Sequence, residues 1–308
     1  MYKLLALSIG SISLIAGKLK IMGGINYFKT HEEISLDDKT ILITGGTDGI
    51  GWETAKKLAK AKCVIIAGRN VERIKSQLIN YKNIKYMYLD LNDLDKVQEF
   101  CQEFKNTYEK LDILINNAGI YNLELKYTIQ GFEQNFGVNY LSPFLLTYNL
   151  LDRIPNEQES RIIFVASRAH LNSPRQVDFN YYLNQESIPY SWYKIYAISK
   201  LANVYQASSF ANNLKNTKIK VYTLHPGVVR TNMLNQFQFF SFLAPMIWYF
   251  TKTPEQGSVT STFLATQPNQ KLKNGYYYKD CVPKYLKEDN NVLFEQTIKL
   301  LQKLGYIK

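Results

Sequence analysis

The chain has 308 residues, 46% of them hydrophobic, enough for one large core, and nothing in it reads as a linker between two folded units. Its formal net charge of +11 comes from scattered lysines with no dense cluster interleaved with stacking aromatics, which argues against nucleic acid as a partner. Cys63, Cys101 and Cys281 are odd in number, far apart and without a C-x-x-C pair, so neither a disulfide framework nor a metal site is expected, only reduced and mostly buried thiols.

The first element is the uncharged run Leu4 to Gly17, flanked by Lys3 on one side and by Lys18 and Lys20 on the other. It is shorter than the roughly 20 residues of a comfortable membrane span unless the lysines snorkel and the segment continues through Ile25. Residues 1–33 are expected to form a hydrophobic anchor and linker, followed by one folded domain over 34–308. A cleaved signal peptide and an apolar helix packed on the domain are the rivals, and Ile15-Ala16-Gly17 is a poor cleavage site. More lysines follow the run than precede it, which favours a domain on the cytosolic side.

From Leu36 onward, short β-rich runs alternate with helical periods. The runs are Thr40–Thr44, Cys63–Ala67, Ile84–Leu89, Leu111–Asn116, Arg161–Ser167 and Ile219–His225, with a seventh at Gly275–Lys279. Most are apolar throughout, as strands covered on both faces must be. Helical spacing occupies Trp52–Ala61, Asp93–Tyr108, Ile129–Leu151 and Tyr193–Leu214. This order predicts an α/β protein: one doubly wound Rossmann fold with a parallel sheet of about seven strands flanked by helices.

Between the first strand and first helix lies Thr44-Gly45-Gly46-Thr47-Asp48-Gly49-Ile50-Gly51. A glycine-rich turn in that context is a phosphate site: Gly45 permits the tight turn, Gly49 lets the backbone approach a pyrophosphate, and Gly51 lets the helix pack close. The helix N-terminus presents free N–H groups to the anion.

This turn, the "NNAG" of Asn116–Gly119 and a later Ser, Tyr and Lys resemble the short-chain dehydrogenase/reductase superfamily, over about Leu36 to Tyr278. "SRAH" (Ser167–His170), "YAISKLANV" (Tyr196–Val204) and "LHPGVVRTNM" (Leu224–Met233) are similar to its membrane-associated retinol-dehydrogenase-type branch. "ITGGTDGIG", "VIIAG", "GFEQNFGVNYLSPFLLT" and "FTKTPEQG" are most similar to the part of that branch connected with polyprenol and dolichal interconversion. TDGIG also occurs in membrane 3-oxoacyl-CoA reductases, which "NNAG" and "SRAH" fit less well.

The resemblance implies a nicotinamide cofactor held by Gly45, Thr47, Asp48, Gly49, Ile50 and Gly51, with Asp90 and Leu91 at the adenine and Asn117, Ala118 and Gly119 on the ribose side. The second strand ends in Gly68, Arg69 and Asn70 where an NAD enzyme would carry a carboxylate for the ribose 2′-OH. Arg69 therefore favours NADP(H), with NAD(H) left open. After the sixth strand, Pro226, Gly227, Val229 and Thr231 are implied to cross the nicotinamide.

For catalysis the resemblance implies a tyrosine acid, its pKa lowered by a lysine ammonium and the nicotinamide charge. The Y-x-x-x-K spacing puts both groups on one helix face, and it occurs three times: Tyr81/Lys85, Tyr190/Lys194 and Tyr196/Lys200. The first precedes the third strand, on the wrong side of the fold. Tyr190 follows Pro189 at the start of the helix, whereas Ala197, Ser199 and Ala202 around the third pair permit close packing. Tyr196 and Lys200 are therefore chosen, with Tyr190 and Tyr193 as pocket or structural residues. Ser167, ending the fifth strand, is expected to orient the substrate oxygen. Asn139, inside the fourth helix, is implied to hold a water that relays protons from the lysine. His170, which could line the pocket, and His225, which precedes the turn, read as structural residues, and His31 lies in the linker after the anchor.

Residues at about 232–252 are expected to form an apolar substrate lid, with a core helix packed against the C-terminal segment as the alternative. With the anchor, this suggests a lipid-like alcohol or carbonyl of retinoid, polyprenoid or steroid type as substrate. The resemblance implies a membrane-associated protein of the endoplasmic reticulum or lipid droplet, and a homodimer is open. The rival function is a membrane-associated NADP(H)-binding scaffold or redox sensor without turnover.

Overall fold

The computed structural model describes residues 33–174, 190–231, 251–285 and 291–308. Its strands are β1 (Thr40–Thr44), β2 (Cys63–Gly68), β3 (Ile84–Tyr88), β4 (Ile113–Asn116), β5 (Arg161–Val165), β6 (Lys220–His225), β7 (Tyr277–Lys279) and β8 (Val282–Lys284). They form one sheet in the order β3-β2-β1-β4-β5-β6-β7-β8, parallel except for β8, which runs antiparallel to β7. The main helices are α1 (Gly49–Lys57), α2 (Leu94–Thr107), α3 (Ser142–Leu150), α4 (Trp192–Asn213), α5 (Val259–Thr266) and α6 (Asn291–Lys303).

The uniformly apolar strands are explained by their two faces, because successive side chains point to opposite sides. Leu42, Ile65, Leu114, Ile162 and Phe164 enter one core with Phe100, Phe104, Phe144, Phe210 and Phe294 of α2, α3, α4 and α6. Ile41, Ile43, Val64, Ile66, Ile113, Ile115 and Ile163 enter the other, with Trp52 and Ala55 of α1 and Phe263 and Leu264 of α5. The register aligns the strands, Ile43 opposite both Ile66 and Ile115 and Ile115 opposite Ile163, so their carboxyl ends share one edge. The strand order reverses beside β1, between β1 and β4, which is where open α/β sheets hold their ligands.

Three features differ from the sequence reading. The sheet has an eighth strand, made by a two-residue turn in which Asp280 (φ 52°) and Cys281 (φ 63°) both take left-handed conformations. Such primed turns usually carry Asn and Gly, so Asp-Cys gives no hairpin signal. The helix read from Ile129 starts later: Ile129 is 69% exposed, and helical turns begin at Gln134. There the buried Glu133 carboxylate accepts from Asn135 N (2.9 Å) and Phe136 N (2.7 Å), satisfying two otherwise free donors. Between that turn and α3, Gly137–Leu141 is a π-helical segment. Among the cysteines, none is disulfide-bonded; Cys101 and Cys281 are buried and Cys63 partly so.

The anchor expectation falls on residues outside the described ones, as does most of the lid, of which only Thr251 and Lys252 are described. Ile34 enters the fold through its N–H to Thr266 O (2.8 Å), and Glu33 pairs with Lys60.

Helix α1 meets the first turn closely. A Cβ at Gly51 would stand 2.2 Å from Gly45 O and 2.6 Å from Asn117 Nδ2. Gly51→Ala is expected to destabilise the protein by about 1–3 kcal/mol through overpacking, read as a melting temperature lower by several degrees.

Candidate active site

The carboxyl ends of β1, β2, β4, β5 and β6 wall a cleft of about 1240 Å³. At its floor Thr44 Oγ1 accepts from Asn117 N and Ala118 N, both at 3.0 Å, while Asn117 Nδ2 donates to Thr44 O (2.9 Å). One hydroxyl and one amide thus tie the ends of β1 and β4 together. Gly45 takes φ 65°, and a Cβ there would press on Ala118 Cα at 2.9 Å. Asp48 caps α1, its Oδ1 accepting from Gly49 N (2.7 Å).

Of the residues expected at a cofactor, Gly45, Thr47, Asp48, Gly49, Ile50, Arg69, Asn70, Asp90, Leu91, Asn117, Ala118, Gly119, Pro226, Gly227, Val229 and Thr231 all border this cleft. Gly51 does not: it stands behind Gly45, where its missing side chain serves the helix contact instead of a ligand. Asp90 and Asn70 are bound in local turns, accepting from Asn92 N and Glu72 N, both at 2.9 Å.

The same cleft is lined by Ser167, Tyr196 and Lys200. Ser167 follows β5 and opens a 3₁₀ turn, accepting from Ala169 N at 3.2 Å. Tyr196 and Lys200 project from one face of α4, with Lys200 Nζ 5.8 Å from the Tyr196 ring centroid. Nζ is buried and donates to Val165 O (3.1 Å), and burial brings its pKa down to about 8. In the protein alone, burial pushes the Tyr196 pKa up, opposed by a hydrogen bond from Ser167. The tyrosine is thereby held in its acid form.

Asn139 lies behind the cleft wall in the π-helical segment. Its Nδ2 donates to Ile120 O and Ser199 Oγ, both at 3.0 Å, and its Oδ1 accepts from Ile120 N at 2.7 Å. A Cβ at Gly119 would be 3.1 Å from Lys200 Nζ and 3.2 Å from Asn139 Oδ1, so the two polar heads converge on this glycine. The π segment is the kind of helix irregularity that turns one polar residue out of register with its neighbours.

The competing tyrosines have other employment. Tyr190 donates to Asn122 O (2.9 Å) and accepts from Asn135 Nδ2 (3.1 Å), which also serves the buried Glu133. Tyr81 packs edge-on against Trp52 at 5.7 Å, on the opposite side of the sheet. Tyr193 borders the cleft and accepts from Asn172 Nδ2 (2.6 Å). Of the histidines, His225 is buried and accepts from Arg168 N (3.2 Å), and burial with the nearby Lys252 and Lys279 charges brings its pKa to about 3, so it is neutral. His170 Nδ1 lies 2.6 Å from Ser167 O, and His31 is outside the described residues.

Among the cleft residues the sequence did not single out are Arg73 and Tyr121. Arg73 pairs with Asp48 (3.0 Å) at the Arg69 end; as a second cation four residues past Arg69 it was legible. Tyr121 packs edge-on against Tyr196 at 4.8 Å and against Trp192 at 5.2 Å, a contact no spacing announces. Among the described residues no cluster of three His, Cys, Asp or Glu comes together.

With this geometry the comparisons with known proteins agree. The short-chain dehydrogenase family pattern matches residues 39–181. Human retinol dehydrogenase 14 is 35% identical over 268 residues, covering 79% of this chain and 78% of its own. The chain belongs to the short-chain dehydrogenase/reductase family. Within it, the chain falls in the retinol-dehydrogenase-like branch. Human polyprenol dehydrogenase is also 35% identical, over 256 residues, 78% of this chain and 76% of its own. Among solved structures, an uncharacterised Mycobacterium paratuberculosis protein superposes with TM-score 0.68 at 26% identity, covering 87% of this chain and 96% of that one. A short-chain dehydrogenase from Burkholderia cenocepacia in complex with NADP shares the fold at TM-score 0.64 and 21% identity, covering 80% and 97%. The chain is thus a member of an oxidoreductase family whose fold binds nicotinamide dinucleotides.

Proposed function

We propose that this protein interconverts a hydrophobic alcohol and its aldehyde or ketone with NADP(H), with Tyr196 as the proton donor. One observation carries the reading: Ser167, Tyr196 and Lys200 line the same cleft as the glycine turn.

The residues fit a dinucleotide. Gly45, Gly49 and the α1 N-terminus leave a bare, anion-seeking backbone. Arg69 and Arg73 supply cations beside the end of β2, and the carboxylate that follows, Glu72, is exposed and paired with Lys75 at 3.3 Å. A ribose 2′-phosphate suits that end better than a bare hydroxyl. Bound there, the cofactor supplies or accepts the hydride.

The rest is done by the chain. The Tyr196 O–H, kept protonated by burial, donates its proton to the carbonyl oxygen of the substrate; Ser167 donates a hydrogen bond that positions the same oxygen. Lys200, cationic below about pH 8, stabilises the phenolate that results. Asn139 holds both backbone groups of Ile120 in place and is the residue to hold a water that relays protons from Lys200. Edge-on packing of Tyr121 steadies the Tyr196 ring, a contact of about 0.5–1.5 kcal/mol.

A hydrophobic substrate is supported by the cleft's apolar wall and mouth, where Ile120, Val138 and Tyr121 are joined by the exposed Leu171 and Val228. It is also supported by the relatives' names, retinol dehydrogenase 14 and polyprenol dehydrogenase. Among the described residues no helix is long and apolar enough to cross a membrane; the apolar run within residues 1–33 supports membrane attachment, at the endoplasmic reticulum or lipid droplet.

The deciding experiment is turnover of NADPH with retinal, dolichal, a ketosteroid and a 3-oxoacyl-CoA. Turnover of one of the first three supports the reading; turnover of the last alone makes the protein an acyl-CoA reductase; tight NADPH binding with no turnover favours a cofactor-binding scaffold. Tyr196→Phe is expected to abolish turnover and spare NADPH affinity, whereas Tyr190→Phe keeps turnover; the reverse result moves the acid to Tyr190. Arg69→Ala is expected to weaken NADPH about tenfold relative to NADH, as loss of a charge-assisted contact would, and an unchanged ratio removes the cofactor preference. The reduction rate is expected to fall as pH rises through about 8, where Lys200 loses its charge. A flat profile from pH 7 to 9, in steady-state rates, would separate Lys200 from the chemistry.

A further inference from the structure

The turn Pro226–Thr231 leaves β6 and borders the cleft beside Ser167 and Tyr196. It is held by the sheet at its start and by the segment around Lys252 further on. At its start, His225 pairs with Lys279 of β7 in the sheet. Further on, Val229 forms a parallel bridge with Lys252: Lys252 N donates to Val228 O (2.8 Å), and Arg230 N donates to Lys252 O (2.9 Å).

The Lys252 side chain then runs beneath the turn. A Cβ at Gly227, which takes φ 97°, would stand 2.8 Å from Lys252 Cδ, so the lysine stem fills the space the glycine leaves. Its ammonium, on a side chain only 3% exposed, meets Asp280 Oδ1 at 2.6 Å. Asp280 follows Lys279 directly and sits in the left-handed β7–β8 turn at φ 52°. Lys252 is itself fixed by its neighbours: Thr253 and Gln256 form a reciprocal capping box on the short helix Pro254–Gly257. That helix packs on the turn, since a Cβ at Gly257 would be 2.7 Å from Val229 Cγ2.

We propose that Lys252 and Asp280 are positioning residues, a buried ion pair that sets the height of the Pro226–Thr231 turn over the nicotinamide end of the cleft. The proposal rests on the dinucleotide reading above. Surface ion pairs contribute little, but a buried pair is costly to break because the remaining charge is left without compensation. Loss of Lys252 therefore frees the turn locally, while the adenine end, on the other side of the sheet's reversal point, keeps its walls.

The test uses the full chain carrying Lys252→Met and, separately, the double change Lys252→Met with Asp280→Leu, which removes the pair without stranding a charge and serves should the single variant fail to fold. Amides of residues 228–231 are expected to exchange with deuterium at least about tenfold faster than in the wild type, with those of β4 and β5 unchanged. Affinity for NADP⁺ is expected to fall by about tenfold, while affinity for 2′-phospho-ADP-ribose, which lacks the nicotinamide, holds within about twofold. Unchanged exchange at 228–231 in a folded variant overturns the proposal. So does an equal loss of affinity for both ligands, the mark of a general structural role. Wild-type protein that binds neither ligand refutes the dinucleotide reading instead, and the exchange measurement alone then decides whether the pair holds the turn.

Discussion

The cleft depends on one constraint: two strands that part company must be joined where they part. At the carboxyl ends of β1 and β4 the chain turns away toward opposite faces of the sheet, and the backbone groups there lose their ladder partners. Thr44 Oγ1 takes two of these orphans, the N–H groups of Asn117 and Ala118, and Asn117 returns its amide to Thr44 O. With both crossovers closed this way, the glycine turn and the 117–119 strand end form one floor. Every other feature of the site is built up from it.

The close approach of α1 follows from the same floor. Asn117 Nδ2 and Gly45 O occupy the space a side chain at residue 51 would need, so the helix can come down on the turn only as glycine. On the other side, Gly119 brings Lys200 and Asn139 together. Both segments lack side chains for steric reasons, one facing a helix and the other facing a buried ammonium. The bare backbone at Gly45 and Gly49, by contrast, faces the cleft.

Burial sets the chemistry. It holds the Tyr196 phenol above its ordinary pKa and brings Lys200 down to about 8, so the pair sits with its proton on oxygen while the lysine is poised near physiological pH. Burial, with the Lys252 and Lys279 charges nearby, keeps the His225 imidazole neutral, and its ring nitrogen accepts from Arg168 N. Lys252 is likewise buried, and its ion pair with Asp280 lies against the turn that follows β6.

Much of this was legible in the residues. Continuous apolar runs such as Cys63–Gly68 declare a two-faced buried strand, and glycines between strand and helix declare a phosphate turn, because both are local consequences of sterics and periodicity. Tyr196 and Tyr190 carry the same local spacing to a lysine, and the choice between them leaned on small neighbours; packing supplies the reason, since Tyr190 is bound to Asn122, Asn135 and Glu133. The Asp280-Cys281 hairpin was illegible because its left-handed backbone is imposed by tertiary contacts on residues with little preference for it. Tyr121 against Tyr196 and Lys252 against Asp280 join residues 75 and 28 positions apart, and no period spans such distances. The sequence by itself determined the order of strands and helices and the glycine turn that opens the first helix, all properties of short segments. Only the tertiary structure decided which tyrosine faces the cleft, how burial shifts its proton and what holds the turn above it, because each depends on groups that meet only when the sheet has closed its two cores.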